Sequence, residues 1–298
     1  MRQPRVAGFI AILIATILWS TTEVVTRTIV GRITPLQLAL IRFLFGGLLL
    51  VSFLPVHKRL TEVRITRRHL GHAVWIGLIG VGIANAAFQY SLKYTGASVV
   101  ATVFGTNPLI VMVVGAVLLG ERLTSEKISG VLLGFVGIVV LAFSKESPTF
   151  SLFGFGLAML CGFCFALFTV LIKRYAESQN SFPLTACCVF FGGIYFIPVV
   201  WLEADWASLR QALQYWPTLL YLTVGCTCLP YLLYFVGLEK VEATQAASVL
   251  FLKPPLATLL AALWLKEPIT WNLMAALCFI FTGLYLVIRL HRQRLSHG

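Results

Sequence analysis

The sequence predicts an all-α membrane protein of ten transmembrane helices, arranged as two five-helix repeats of inverted topology. Three observations predict it. Of the 298 residues, 59% are hydrophobic and only 11% are charged, and the mean hydropathy of +0.90 lies far from that of a water-soluble domain. Apolar windows of about 20 residues, the length a helix needs to cross about 30 Å of hydrocarbon, recur along the whole chain. The chain also matches itself, without a gap, when displaced by 146 positions.

The first window, Val6–Val30, follows Arg2 and Arg5 in the manner of a signal peptide. It is too long for one and lacks a small-residue cleavage site, so a retained helix is expected. Within it, WSTTEVVTRT (19–28) holds Glu23, the one carboxylate inside any span apart from Glu126 at the very start of the fifth, with Trp19 on the same face. Arg27 stands four residues on, the favourable order for a helical ion pair. The second window, Pro35–Leu54, carries Arg42 about 10 Å inward. Its planar fork suits a carboxylate or phosphate; the alternative is a brace on backbone carbonyls or on Glu23.

In the third window, Leu70–Leu92, Asn85 and Gln89 are four apart and share a face. Thr102 and Thr106 do the same in the fourth, Ala97–Leu119, which also places Asn107 and Pro108 near the bilayer centre. The fifth, Ser125–Phe143, contains Gly130, Gly134 and Gly137, which permit close helix approach for packing or for a homodimer contact. The sixth, Leu152–Lys173, holds Cys161 and Cys164 in the apolar MLCGFCFALF, without the polar surroundings that activate a thiol. All seven cysteines fall in apolar segments, so they read as packing residues rather than a disulfide framework. Phe182–Leu202 is the seventh window, and the eighth, Tyr215–Leu238, sets Tyr231 and Tyr234 three apart. Ala243–Leu265 and Thr270–Ile288 complete the set.

The ninth window is the anomaly. Its centre, VLFLKPPLATLL (249–260), contains a lysine and two prolines. Lys253 lies about 15 Å into the span, where an ammonium group costs from about 2.5 to 10 or more kcal/mol unless it faces the bundle interior with a partner or ligand. It is therefore expected either to pair with a carboxylate of the protein or to bind an anionic group of a substrate. Pro108, Pro254 and Pro255 break the fourth and ninth helices at matching depth and free the carbonyls of Phe104, Leu250 and Phe251. Such freed groups are tolerated where they face protein or a water-filled cavity.

Net charge is +12, but its position argues against nucleic acid. With ten spans and a cytoplasmic N-terminus, fifteen of the 23 Lys and Arg residues fall on the cytoplasmic side, among them Arg5, Lys127, Lys173 and Lys240. This is the positive-inside bias, and it predicts that both termini are cytoplasmic. The basic run HKRLTEVRITRRH (57–69) is then an anchor facing anionic lipid head groups.

The self-match pairs Gly47 with Gly193, Pro108 with Pro254, Glu121 with Glu267 and Gly137 with Gly283. It divides the chain into units 1–145 and 146–298, each with five spans. An odd number of crossings forces the two units to enter the membrane in opposite senses, an architecture common to secondary transporters. The segments SLKYTGASVVATVFGTNPLIVMVVGAVLLGERLTSEKISGVLLGFVGIVVL (91–141) and GLEKVEATQAASVLFLKPPLATLLAALWLKEPITWNLMAALCFIFTGLYLVI (237–288) resemble the EamA-type signature region of the drug/metabolite transporter superfamily. That resemblance implies a transporter but leaves its substrate open.

The expected function is alternating-access transport of a small polar metabolite of the amino acid or organic anion type across the cytoplasmic membrane. Lys253, Arg42, Asn107, Glu23, Trp19, Asn85, Gln89, Tyr231 and Tyr234 are the expected substrate-binding residues. The alternative is export of amines or organic cations coupled to protons through Glu23. No cofactor is expected, and there is no GxxxxGK[ST] motif for ATP. The expected partners are the small-molecule substrate, membrane lipids and a coupling proton or counter-ion, in a monomer or homodimer. Glu121 and Glu267, poorly placed at helix C-termini, are expected to cap the helix that follows each.

Overall fold

The computed structural model describes residues 2–29, 32–56, 67–94, 107–142, 151–176, 181–203, 205–253, 255–256, 259–260, 263 and 271–294. Hydrocarbon offers no partner for a backbone N–H or C=O, so an apolar chain must satisfy these groups within each segment, and helices result. In chain order they are α1 (Arg2–Ser20, resuming as Thr22–Arg27), α2 (Pro35–Val56), α3 (Arg67–Ser91), α4 (Asn107–Leu119), α5 (Ser125–Ala142), α6 (Leu152–Tyr175), α7 (Ser181–Glu203), α8 (Leu209–Leu238), α9 (Ala243–Leu252) and α10 (Trp271–Arg294). Among the described residues α2, α3, α6, α7 and α8 are long and apolar enough to cross a membrane, while α1, α4, α9 and α10 contribute shorter apolar stretches. Outward-facing Val117, Leu152 and Leu202 are strongly exposed, as a lipid-facing surface requires.

Helix ends follow local chemistry. At the start of α2, the Thr34 hydroxyl accepts the Gln37 N–H at 3.2 Å and the Gln37 side chain accepts the Thr34 N–H at 3.3 Å, a reciprocal cap ahead of Pro35. Gly120 ends α4 in the left-handed region at φ 66°, which L side chains adopt only with strain. The chain then turns back so that the Glu121 N–H donates to the Gly115 carbonyl at 3.3 Å.

Helix pairing obeys the 146-residue displacement. α1 packs on α8 and, equivalently, α6 packs on α3, while α2 with α7, α4 with α9 and α5 with α10 pair with their own counterparts. The correspondence extends to atoms. A Cβ on Gly47 would stand 2.3 Å from the Phe190 Cα, and one on Gly193 would stand 2.6 Å from the Leu44 Cα; Leu44 and Phe190 are themselves 146 residues apart. Two five-helix halves of inverted topology thus meet along α2 and α7.

The close-approach glycines of α5 pack within the chain, Gly130 against Gly283 of α10 and Gly134 against Phe251 of α9, the first of the two uses the sequence leaves open. Three features depart from the sequence reading. Glu121 caps the start of α9 in the opposite half, not that of α5. α8 begins near Leu209, which puts Arg210 inside a helix rather than in a loop. Finally, α2, α3 and α8 each contain a wide π turn, at Ile41–Phe45, Leu78–Ile83 and Val224–Cys228. The turns of α3 and α8 begin 146 residues apart. Thr102, Thr106, Phe104, Pro254 and Glu267 lie outside the described residues, as do the side chains of Glu23 and Arg27.

Candidate functional site

Most of the described residues expected at the site line the interior where α1, α2, α3, α6 and α8 meet. Trp19 of α1 is buried, with its ring edge-on to Tyr231 at 5.5 Å and to Phe165 at 6.2 Å, and tilted against Tyr234 at 5.3 Å. Phe43 of α2 approaches Tyr231 at 5.9 Å, and Phe168 packs on Phe235 at 5.0 Å. Such edge-to-face pairs fix ring orientation beyond what area burial alone does. Tyr231 and Tyr234 are both buried, so their phenols form a polar seam in an otherwise apolar block.

Asn85 and Arg42 address that seam from the other side. The Asn85 amide donates to the Val81 carbonyl at 3.0 Å and also reaches the Tyr231 phenol. The Arg42 guanidinium lies close enough to act on the same phenol electrostatically. It donates through Nε to the Thr227 hydroxyl at 3.1 Å, and Nη2 stands 3.5 Å from the Cys226 carbonyl. Arg42 thus reaches both a hydroxyl and a backbone carbonyl of α8. Pro230 has no N–H, so this part of α8, where the winding widens at Val224–Cys228, is one backbone donor short. Gln89 lies one turn beyond Asn85 on α3 and is half-buried.

Lys253 and Asn107 approach from α9 and α4. α9 changes from α to 3-10 winding at Leu250–Leu252, and Lys253 follows it, half-buried, within electrostatic reach of Cys161 on α6. The Asn107 amide donates to the next carbonyl of α6, Gly162, at 3.0 Å. Its Oδ1 is buried without a hydrogen-bond partner, an acceptor left open in a region where orphaned groups are costly. Pro108 is buried beside it, and Pro255 is buried just beyond Lys253. Cys161 also lies near Tyr231, so the α6 segment Cys161–Gly162 links Lys253 and Asn107 each to the aromatic seam.

Sequence reasoning missed Thr227, Cys226 and Cys161. The signal for the first two was present: the proline argument applied to Pro108 and Pro254 applies equally to Pro230 within LPYLLYF (229–235). Cys161 carried no such signal, because its place between α9 and α8 follows from tertiary packing. Among the described residues no group of three or more His, Cys, Asp or Glu side chains could hold a metal ion.

Ten helices in two inverted halves, closing on a buried polar seam at their interface, define the class: a multi-pass membrane transporter. The sequence pattern of the EamA-like transporter family matches residues 6–143 and again residues 152–289. The chain belongs to that family. It is 29% identical over 291 residues to the uncharacterised transporter YvbV of Bacillus subtilis, covering 96% of this chain and 92% of that one. It is 27% identical over 287 residues to an uncharacterised transporter of Clostridium kluyveri, covering 93% and 91%. The protein PecM of Dickeya dadantii is 27% identical over 274 residues, covering 90% and 88%. A solved crystal structure superposes on 98% of this chain and 98% of its own with a TM-score of 0.75 at 20% identity, a likeness that shows the fold alone.

Proposed function

We propose that the protein is a secondary active transporter that moves a small polar metabolite bearing an anionic group, of the amino acid or organic anion type, across the cytoplasmic membrane by alternating access. The observation that carries this reading is the convergence of Lys253, Asn107, Asn85, Tyr231 and Trp19 from five helices of both halves on one interior region. Lys253 receives the anionic group. The open Asn107 Oδ1 accepts a hydrogen from the substrate. Trp19, Tyr231 and Tyr234 form the wall against which it rests, and Arg42 sets the local potential while bracing α2 on α8. Glu23 is the coupling residue, taking up and releasing a proton as the site changes sides.

Inverted halves support alternating access, because tilting one against the other exchanges the two open states around a fixed site. Arg5, Lys127 and Arg174 make their contacts at one end of the bundle, with Gln245, Glu242 and Leu118. Glu203 and Asp205 meet Thr34 and Gln37 at the other. The basic end is the cytoplasmic one in this reading, and both termini lie there.

The test is uptake by sealed, reconstituted vesicles across a panel of amino acids, organic acids, amines and sugar phosphates, with Lys253→Ala in parallel. Saturable flux of an anionic or zwitterionic compound is expected, with at least a tenfold loss in Lys253→Ala. Parental rate and affinity in that variant refute the assignment of Lys253, and flux confined to amines refutes the substrate class.

A further inference from the structure

The basic end of the bundle holds a cluster that the substrate site does not use. Glu121, projected past the left-handed Gly120, crosses to the opposite half. Its Oε1 accepts the Ala243 N–H at 2.5 Å, and its Oε2 accepts the Thr244 N–H at 3.3 Å and the Thr244 hydroxyl at 2.7 Å. Lys127 lies beneath, its ammonium 3.4 Å from Glu121 and 2.8 Å from Glu242, with a further donation to the Arg122 carbonyl at 3.2 Å. The side chains of Lys127 and Glu121 are only 3% and 7% exposed.

Neighbouring cations close the ring. Lys173 of α6 donates to the carbonyls of Leu238 and Val241, within electrostatic reach of Glu121 and Glu242. Arg5 of α1 donates to the Gln245 side chain at 2.7 Å and also feels Glu242. Apart from the contacts of Lys127 with Glu121 and the Arg122 carbonyl, which lie within the first half, each of these joins the two halves or ties a helix end to the α8–α9 connection.

Two points give the cluster a meaning beyond packing. The residue capped is the first of α9, and Lys253 stands ten residues along that helical segment, about 15 Å away. The cluster is also only partly repeated. At the positions related by 146 residues, Leu273 stands for Lys127, Gly96 for Glu242 and Ser151 for Arg5, whereas Glu121 and Lys173 recur as Glu267 and Arg27. The sequence therefore does not repeat the Lys127–Glu242 pair.

We propose that Glu121, held together with Glu242 by the Lys127 ammonium, is the latch that closes the basic end during transport. While it holds the first turn of α9, Lys253 stays sealed from that end; its release lets α9 swing and opens a path to the midplane. Glu121 and Lys127 are positioning residues, acting on substrate only through α9, and the inference rests on the transport reading above.

Alkylation of native Cys161, which neighbours Lys253, reports the latch without any substrate. Sealed vesicles of either orientation are exposed to a membrane-impermeant maleimide, and labelling is quantified by mass spectrometry. In Glu121→Gln the amide offers one acceptor where the carboxylate offers two, and in Lys127→Met the clasp is lost. Each should raise Cys161 labelling about tenfold from the basic end. Thr244→Ala, which removes a single contact, should raise it about threefold, and Lys127→Arg should stay near the parental rate. Labelling from the opposite end, and of buried Cys188 between α3 and α7, should not change.

Parental labelling in Glu121→Gln and Lys127→Met overturns the proposal. So does a rise from both ends with Cys188 in parallel, which marks a loosened fold. If those two variants fail to reach the membrane, Thr244→Ala decides in the same way. Failure of the substrate assignment is distinguishable, since it appears in Lys253→Ala uptake and leaves this labelling pattern intact.

Discussion

The contact of α2 with α7 gives a stability prediction whose size can be worked from the structure. A Cβ added at Gly47 would lie 2.3 Å from the Phe190 Cα and 2.4 Å from its nitrogen, and one at Gly193 would lie 2.4 Å from the Leu44 nitrogen. The atoms in the way are backbone, so no rotamer change relieves them. The helices must separate by roughly 1 Å, and overpacking of this kind costs about 1–3 kcal/mol. Gly71→Ala and Gly156→Ala are the controls, because a Cβ at either meets nothing within 4 Å. Both are exposed positions in helices, where alanine should be neutral or stabilise by up to about 1 kcal/mol. Thermal unfolding of the four purified variants in detergent should therefore split them into two groups. Equal melting of Gly193→Ala and Gly156→Ala would refute the close approach of the two halves.

Three further outcomes are expected. Arg42→Lys, which gives up the planar fork, should lower stability by about 1–2 kcal/mol; in a Pro230→Ala background, which returns a backbone N–H to this part of α8, thermal unfolding should show less than half that loss. Asn107→Leu removes both the bond to Gly162 and the orphaned Oδ1, so melting should move by no more than about 1 kcal/mol, while vesicle uptake should fall at least tenfold; unchanged uptake would remove Asn107 from the site. Gly120→Ala, forced into the left-handed region, should cost about 1 kcal/mol, with Gly120→Asn recovering part of it in the same assay.

Much of the architecture was legible because it rests on periodicities that survive in one dimension. Apolar length marks the spans, and the displacement of 146 residues marks the inverted halves, down to the paired contacts of Gly47 with Phe190 and Gly193 with Leu44. The residue types at the site were legible for a related reason: Lys253, Asn107 and Arg42 are costly in hydrocarbon and call for an explanation wherever they sit. What each touches was not. Arg42 meets Thr227 and Cys226 because two helices distant in sequence cross there, and Glu121 reaches α9 because Gly120 turns the chain across the bundle. Sequence separation hides both: read locally, Glu121 belongs to the helix that follows it. The wide turns escaped notice because they contain no proline and arise from an extra residue that no local propensity marks.

Those wide turns have a consequence for how the chain tolerates change in length. Each accommodates one surplus residue without disturbing the phase of the helix on either side. Shortening α3 by one residue within Leu78–Ile83, or α8 within Val224–Cys228, would restore ordinary winding and leave the flanking stretches facing their present neighbours. The same deletion elsewhere in either helix would rotate everything beyond it by about 100°, turning buried faces such as those of Tyr231 and Tyr234 outward into lipid.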